Sequence, residues 1–285
     1  MDLDLSGKHA LVCGASEGIG RATAHELALL GADVTVLARR AEVLREVAEA
    51  LAFAGADVTV LARRGPALEA VVASLPRRAD QHHGHVVADT TDTDGLRTAI
   101  ARLAAVQPVH VLVNNTAGPP GGPAHAADPE QFVAVFRQHL VANQVLVQAV
   151  LPGMRAARWG RIVNVVSTSV KEPIANLGVS NTIRGAVAGW AKTLSRELAA
   201  DGITVNNVLP GYTRTQRLDQ ILRDRAAASG RTEDDIAKTM LATVPAARFA
   251  EPAEIAAAIA FLCSPVAGYI NGVSLPVDGG RMQSI

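Results

Sequence analysis

Three glycines in seven residues, GASEGIG (14–20), follow an apolar β-branched run and precede a helical pattern. This spacing suits the handling of a phosphate. Gly14 permits a tight turn off the strand, Gly18 lets a pyrophosphate approach the backbone, and Gly20 allows close helix–strand packing. The amides that open the helix then point at the anion, and Ser16, Glu17 and Ile19 complete the loop. At the end of the second β run, Ala38 stands where an acidic residue would accept ribose hydroxyls, and Arg39 and Arg40 follow. An arginine there suits a 2′-phosphate, so the spacing favours NADP over NAD, with Glu17 working weakly against a phosphate. Asp89 closes a third β run, where it can bond an adenine amino group. HHGH (82–85) brings three imidazoles together without a thiol partner, which reads as a surface tract and not a metal site.

These residues must be carried by regular elements. Strand candidates are HALVCG (9–14), ADVTVLA (32–38), HVVAD (85–89), HVLVNN (110–115), RIVNVVS (161–167), ITVNNVLP (203–210) and GVSLPVDGG (272–280). Helical patterns lie between them at 18–30, 94–105, 129–156, 181–200 and 252–263. Alternation of this kind predicts a single α/β domain over 1–285, a doubly wound parallel sheet with helices on both faces. Residues 214–245 are more charged and less strand-like, and are read as a helical lid over the carboxyl edge of the sheet.

One repeat interrupts this rhythm. GADVTVLARR occurs at 31–40 and again, identically, at 55–64. The segment 41–64 is therefore read as a duplicated βα insert, which adds an eighth strand to a sheet of seven. The competing reading displaces one copy from the sheet as a loop. With the repeat, Arg63 becomes an alternative to Arg39.

Composition narrows the classes further. Lys plus Arg and Asp plus Glu both count 27, a balance that argues against a nucleic-acid or anionic-membrane partner held by bulk charge. No apolar run reaches the roughly 18 residues of a membrane span, and MDLDLSGKHALV lacks the features of a signal peptide. Cys13 and Cys263 are isolated in apolar surroundings, which fits a reduced, cytoplasmic setting.

The chain resembles the short-chain dehydrogenase/reductases, in particular the 3-oxoacyl-carrier-protein-reductase-like members. The resemblance rests on GASEGIG, NNTAG (114–118), GRIVNVVS (160–167), AVAGWAKTLSREL (186–198), GITVNNVLPGYTRT (202–215), RFAEPAEIA (248–256) and YINGVSLPVDGG (269–280). It implies a Rossmann domain, a nicotinamide cofactor, hydride transfer on a small-molecule carbonyl/alcohol pair, and a homodimer or homotetramer. The family's chemistry uses a Ser, a Tyr four residues before a Lys, and an Asn on a preceding helix. Ser167 matches the serine, but Ser180 holds the tyrosine position, Arg184 the lysine position and His139 the asparagine position. Asn115 matches a cofactor-contacting asparagine, and Thr213 and Thr215, after Pro210 and Gly211, match positions that touch the nicotinamide and its phosphate.

The altered tetrad leaves two readings open. In the first, an NADP-preferring oxidoreductase uses Ser167 on the substrate oxygen and Arg184 on ribose or substrate, with protons from His139, Tyr212 or water. A serine hydroxyl is a poor acid and an arginine stays protonated, so neither replaces the tyrosine directly. In the second, the chain is a silent nucleotide-binding scaffold or partner subunit. The stiff GPPGGP run (118–123) lies above either version of the site.

Overall fold

The computed structural model describes residues 1–38, 41–78, 80–89 and 92–284. In chain order the elements are β1 (His9–Cys13), α1 (Gly18–Leu29), β2 (Asp33–Leu37), α2 (Arg45–Ala54), β3 (Val58–Ala62), α3 (Gly65–Ser74), β4 (Gly84–Val87) and α4 (Thr93–Val106). They continue with β5 (Val111–Asn114), α5 (Pro129–Phe136), α6 (Ala142–Ala157), β6 (Gly160–Val165), α7 (Gly178–Leu198) and β7 (Ile203–Pro210). The chain then forms α8 (Gln216–Ser229), α9 (Glu233–Leu241), α10 (Pro252–Cys263) and β8 (Ser274–Val277).

All eight strands pair in parallel, in the order β4-β3-β2-β1-β5-β6-β7-β8. The central strands are buried along their whole length, as a sheet covered by helices on both sides requires, and are largely apolar apart from the buried His9, Asn114, Arg161 and Asn164. One core layer lies under α1, α2 and α10, with Leu27, Val36, Leu51 and Ile259 among its members; the other lies under α4, α6 and α7, with Leu112, Ile162 and Val205.

The repeat resolves as an extra strand. The first copy, β2, lies against β1, and the second, β3, stands between β2 and β4. Val34 pairs with Val58, Thr35 with Thr59, Val36 with Val60 and Leu37 with Leu61. The pairing offset thus equals the repeat offset, so identical side chains stand side by side. Parallel pairing without a slip keeps both valine pairs in one core layer and both leucines in the other.

The helical stretch predicted over 129–156 contains a discontinuity. Between α5 and α6, Arg137–Val141 form one π-helical turn. Such turns add a residue to the helix and redirect a side chain, and they recur at functional sites. Here His139 is the residue turned inward.

Within residues 214–245, α8 and α9 pack around Leu218, Ile236, Met240 and Phe249. Thr215 and Thr232 cap the two helices through their hydroxyls.

Candidate active site

A cleft of about 900 Å³ opens at the carboxyl ends of the strands, the position where ligands bind in open α/β sheets. Its walls come from the β1–α1 turn, the ends of β5 and β6, α7, and the β7–α8 segment.

The glycine turn is built for a close approach. Gly14 (φ +59°) and Gly18 (φ +53°) adopt backbone angles that favour glycine. A Cβ on Gly14 would lie 2.6 Å from the Asn115 carbonyl oxygen, and one on Gly18 would lie 3.0 Å from Thr215 Cγ2. A Cβ on Gly20 would overlap the Gly14 carbonyl oxygen and stand 2.7 Å from Asn115 Nδ2. The Asn115 amide donates to the Gly14 carbonyl at 3.3 Å and so ties the end of β5 to the turn. Glu17 precedes α1 but makes no side-chain cap, which leaves the first amides of the helix turned to the cleft without an internal acceptor. A cradle closed to side chains and lined with such amides fits a pyrophosphate. Cys13, on the cleft floor, is pushed up to about 12 by burial and stays a thiol.

Most of the residues singled out in the sequence meet here. Gly14, Ser16, Glu17, Gly18, Ile19 and Asn115 line one part of the cleft, and Ser167, Ser180, Arg184, Pro210, Gly211, Tyr212, Thr213 and Thr215 line the rest. Gly20 lies behind the turn, where it sets the approach of α1 to β1. Arg39 and Arg40 fall outside the described residues. Asp89 is not on the cleft wall; it faces Arg63 at 3.9 Å. The inserted β3 sets β4 one strand further from β1 than a seven-stranded sheet would, a displacement of about 4.8 Å. In the HHGH tract, His83 accepts from the Val58 amide at 3.2 Å through Nδ1 and faces the Pro76 carbonyl at 3.0 Å through Nε2.

The positions of the altered tetrad form two groups. Ser180 and Arg184 sit one turn apart on α7 and meet, Arg184 Nε donating to Ser180 Oγ at 3.3 Å. Arg184 Nη1 also donates to the Val165 and Val166 carbonyls at the end of β6. Burial first, and then the nearby Arg217, push its pKa down to about 10, so it remains a cation at neutral pH. Ser167 caps the short turn after β6, accepting from the Ser169 amide at 3.1 Å, and faces the cleft.

His139 lies behind the cleft wall. Its Nδ1 is 2.6 Å from Thr116 Oγ1, while its buried Nε2 has no partner among the described residues. Burial, with Arg184 adding to it, pushes its pKa down to about 4, so the ring is neutral near pH 7. Tyr212 follows β7 and packs edge-on against Phe249 with centroids 6.3 Å apart. The Arg281 guanidinium lies over the Tyr212 ring, 4.6 Å from its centroid.

The sequence reading did not single out Arg137, Arg217, Arg281 and Thr168, all of which line the cleft. The available signal was position: Thr168 follows Ser167, Arg217 follows Thr215 by two residues, and Arg281 follows the glycine pair that ends the last β run. Arg217 is held by the Pro119 carbonyl at 2.7 Å, which anchors α8 to the GPPGGP loop.

This fold and this cleft define a dinucleotide-binding α/β protein. A family model for short chain dehydrogenases matches residues 8–52, and one for enoyl-(acyl carrier protein) reductases matches residues 43–281. The chain belongs to the short-chain dehydrogenase/reductase family of oxidoreductases. It is 33% identical to the 3-oxoacyl-(acyl-carrier-protein) reductase FabG of Haemophilus influenzae, over 98% of this chain and 100% of that one. The structure of L-sorbose reductase from Gluconobacter frateurii, complexed with NADPH and L-sorbose, superposes with a TM-score of 0.85 at 27% identity, with 100% of both chains covered. Actinorhodin polyketide ketoreductase with NADPH superposes with a TM-score of 0.83 at 28% identity, over 97% of this chain and 98% of that one.

Proposed function

We propose that the protein is an NADP-preferring oxidoreductase that interconverts a carbonyl and an alcohol, with a proton donor other than the family's tyrosine. The observation that carries this reading is the glycine cradle, in which three glycines and the free amides of α1 leave room for a pyrophosphate and for no side chain. The NADPH present in the L-sorbose reductase and ketoreductase structures supports the choice of cofactor. When bound, the nicotinamide supplies or accepts the hydride.

The residues of the chain divide the remaining tasks. Ser167 donates to the substrate oxygen. Arg184 keeps a positive charge beside the reacting centre, as the lysine does in the family, but cannot relay a proton. Of the two candidate donors, Tyr212 is favoured, because its side chain borders the cleft. His139 is buried and neutral, which suits it to hold Thr116 in place. Helix α8 borders the cleft and, with α9 packed against it, serves as the lid, and a homodimer or homotetramer is the expected assembly.

A second reading has one observation in its favour. The Arg184 guanidinium is spent on Ser180 and on two backbone carbonyls, the pattern of a structural arginine in a silent family member. The two readings separate in a screen of aldehydes and ketones for NADPH oxidation, run with the wild type, Tyr212→Phe and His139→Gln. The proposal expects turnover that falls about 100-fold or more in Tyr212→Phe and changes little in His139→Gln. Equal turnover in all three removes the tyrosine from its role, and no turnover with any substrate favours the silent reading.

A further inference from the structure

The charges that line the cleft are unbalanced. Arg137, Arg184, Arg217 and Arg281 face it, and the one carboxylate among the described lining residues is Glu17, at the glycine turn. Arg184 and Arg217 flank a single backbone position, since a Cβ on Gly118 would stand 3.6 Å from Arg184 Nη2 and 3.3 Å from Arg217 Nε. Four cations against one carboxylate along one cleft favour an anionic ligand. The pyrophosphate cradle lies beside Thr215. Arg281 has a different neighbourhood, between Thr168 at the end of β6 and Tyr212 at the end of β7.

Arg281 is held at the cleft wall by two neighbours. Its Nη1 donates to Thr168 Oγ1 at 3.2 Å and its plane rests on Tyr212. Its Nε is buried and has no partner among the described residues. The chain after β8 is tied down on both sides of this residue. Asp278 accepts from the amides of Gly280 at 3.0 Å and Met282 at 2.8 Å, and Glu172 Oε1 accepts from those of Gln283 at 2.8 Å and Ser284 at 2.6 Å. The Ser284 hydrogen bonds first, and the Arg281 charge among the lesser causes, hold the Glu172 carboxyl below its usual range, and the arrangement holds Arg281 at the cleft wall.

Resting on the oxidoreductase reading above, we propose that the substrate is an acid, a small oxo- or hydroxy-carboxylate, whose carboxylate is received by the Arg281 guanidinium where it borders the cleft. A guanidinium is a fixed cation with a planar set of N–H donors, which suits it to hold a carboxylate. Arg281 next to Thr168 sets that carboxylate one residue from Ser167, the group assigned to the reacting oxygen. Arg281 is then a specificity-determining residue for the reaction.

The test is direct binding, independent of turnover. Saturation-transfer NMR follows 2-oxobutyrate, 4-oxopentanoate and 5-oxohexanoate, each beside its methyl ester, on the full chain with NADP+ present. At least one acid binds and its ester binds far more weakly. Arg281→Gln weakens that acid about 10- to 100-fold, the range of a charge-assisted pair, and Arg281→Lys, which keeps the charge without the fork, falls between. Thermal melts confirm that both variants are folded. Binding of no acid, equal binding of acid and ester, or an unchanged acid affinity in Arg281→Gln overturns the proposal. A titration with NADPH alone reads the cofactor separately: a wild type that binds acid but no NADPH loses the oxidoreductase reading and keeps the anion site, and the converse loses only the anion site.

Discussion

Replacing Gly20 by alanine would set a methyl group against the Gly14 carbonyl oxygen and 2.7 Å from Asn115 Nδ2. Neither neighbour can rotate away: one is backbone and the other bonds that same carbonyl. Helix α1 must therefore retreat from β1 by about 1 Å, an overpacking of the kind that costs about 1–3 kcal/mol. For a chain of this size that lowers the melting temperature by roughly 2–10 °C. The same retreat carries the α1 amides away from the cradle, so NADPH affinity falls about 10-fold or more. Gly189→Ala is the matched control, because a Cβ there meets nothing within 4 Å and alanine favours the helix by about 1 kcal/mol. Circular dichroism melts and a fluorescence titration with NADPH, run on both variants, decide the matter. A Gly20→Ala protein that binds NADPH like the wild type refutes the assignment of this turn as the pyrophosphate cradle.

Three further outcomes follow from the structure. The His139 and His9 rings are both held near pKa 4, chiefly by burial, against 6.5 when free. The unfolded chain therefore binds the extra protons, and stability falls as the pH drops from about 6.5 to about 4, by up to about 3 kcal/mol per ring. Urea unfolding across that window shows the slope, and His139→Asn makes it shallower; a flat profile contradicts the burial of both rings. Deletion of residues 41–64 leaves one copy of the repeat, whose outer edge offers β4 the same residues that β3 does now. The shortened chain should melt cooperatively and bind NADPH more tightly, because Asp89 moves in by about one strand spacing; a non-cooperative melt would show that the second copy is required for the core. Arg161 is buried, bonds the Ser264 and Gly160 carbonyls and lies over the Trp159 ring. Arg161→Ala is expected to destabilise by about 3 kcal/mol or more, and a loss below 1 kcal/mol in chemical denaturation speaks against that role.

The fold was legible because its signals are local and repeated. The strands announced themselves largely as β-branched runs, and the glycine turn carries its own steric reason at Gly14, Gly18 and Gly20. Even the extra strand was readable, since ten identical residues have the same preference for a strand twice over; which copy lies against β1 was not, because identical sequences cannot tell one another apart. The site was legible only in part. Ser167, Ser180 and Arg184 could be placed by the family resemblance, and the structure sets the last two in contact. The π turn at Arg137–Val141 has no mark in the sequence, because it depends on how His139 finds Thr116 across the fold. Arg217 and Arg281 look like ordinary surface cations until tertiary structure brings α8 and the tail to one wall. Asp89 shows the opposite case, a residue at a fitting position in the chain that the inserted strand sets beside Arg63 instead.

The central claim is that this cleft receives a nicotinamide dinucleotide with a 2′-phosphate. Fluorescence titration of the purified protein with NADPH and, separately, with NADH tests it most directly. The account predicts saturable binding of NADPH in the micromolar range, with NADH much weaker. Absence of binding by both nucleotides would contradict it, and the oxidoreductase reading would fall with the cradle.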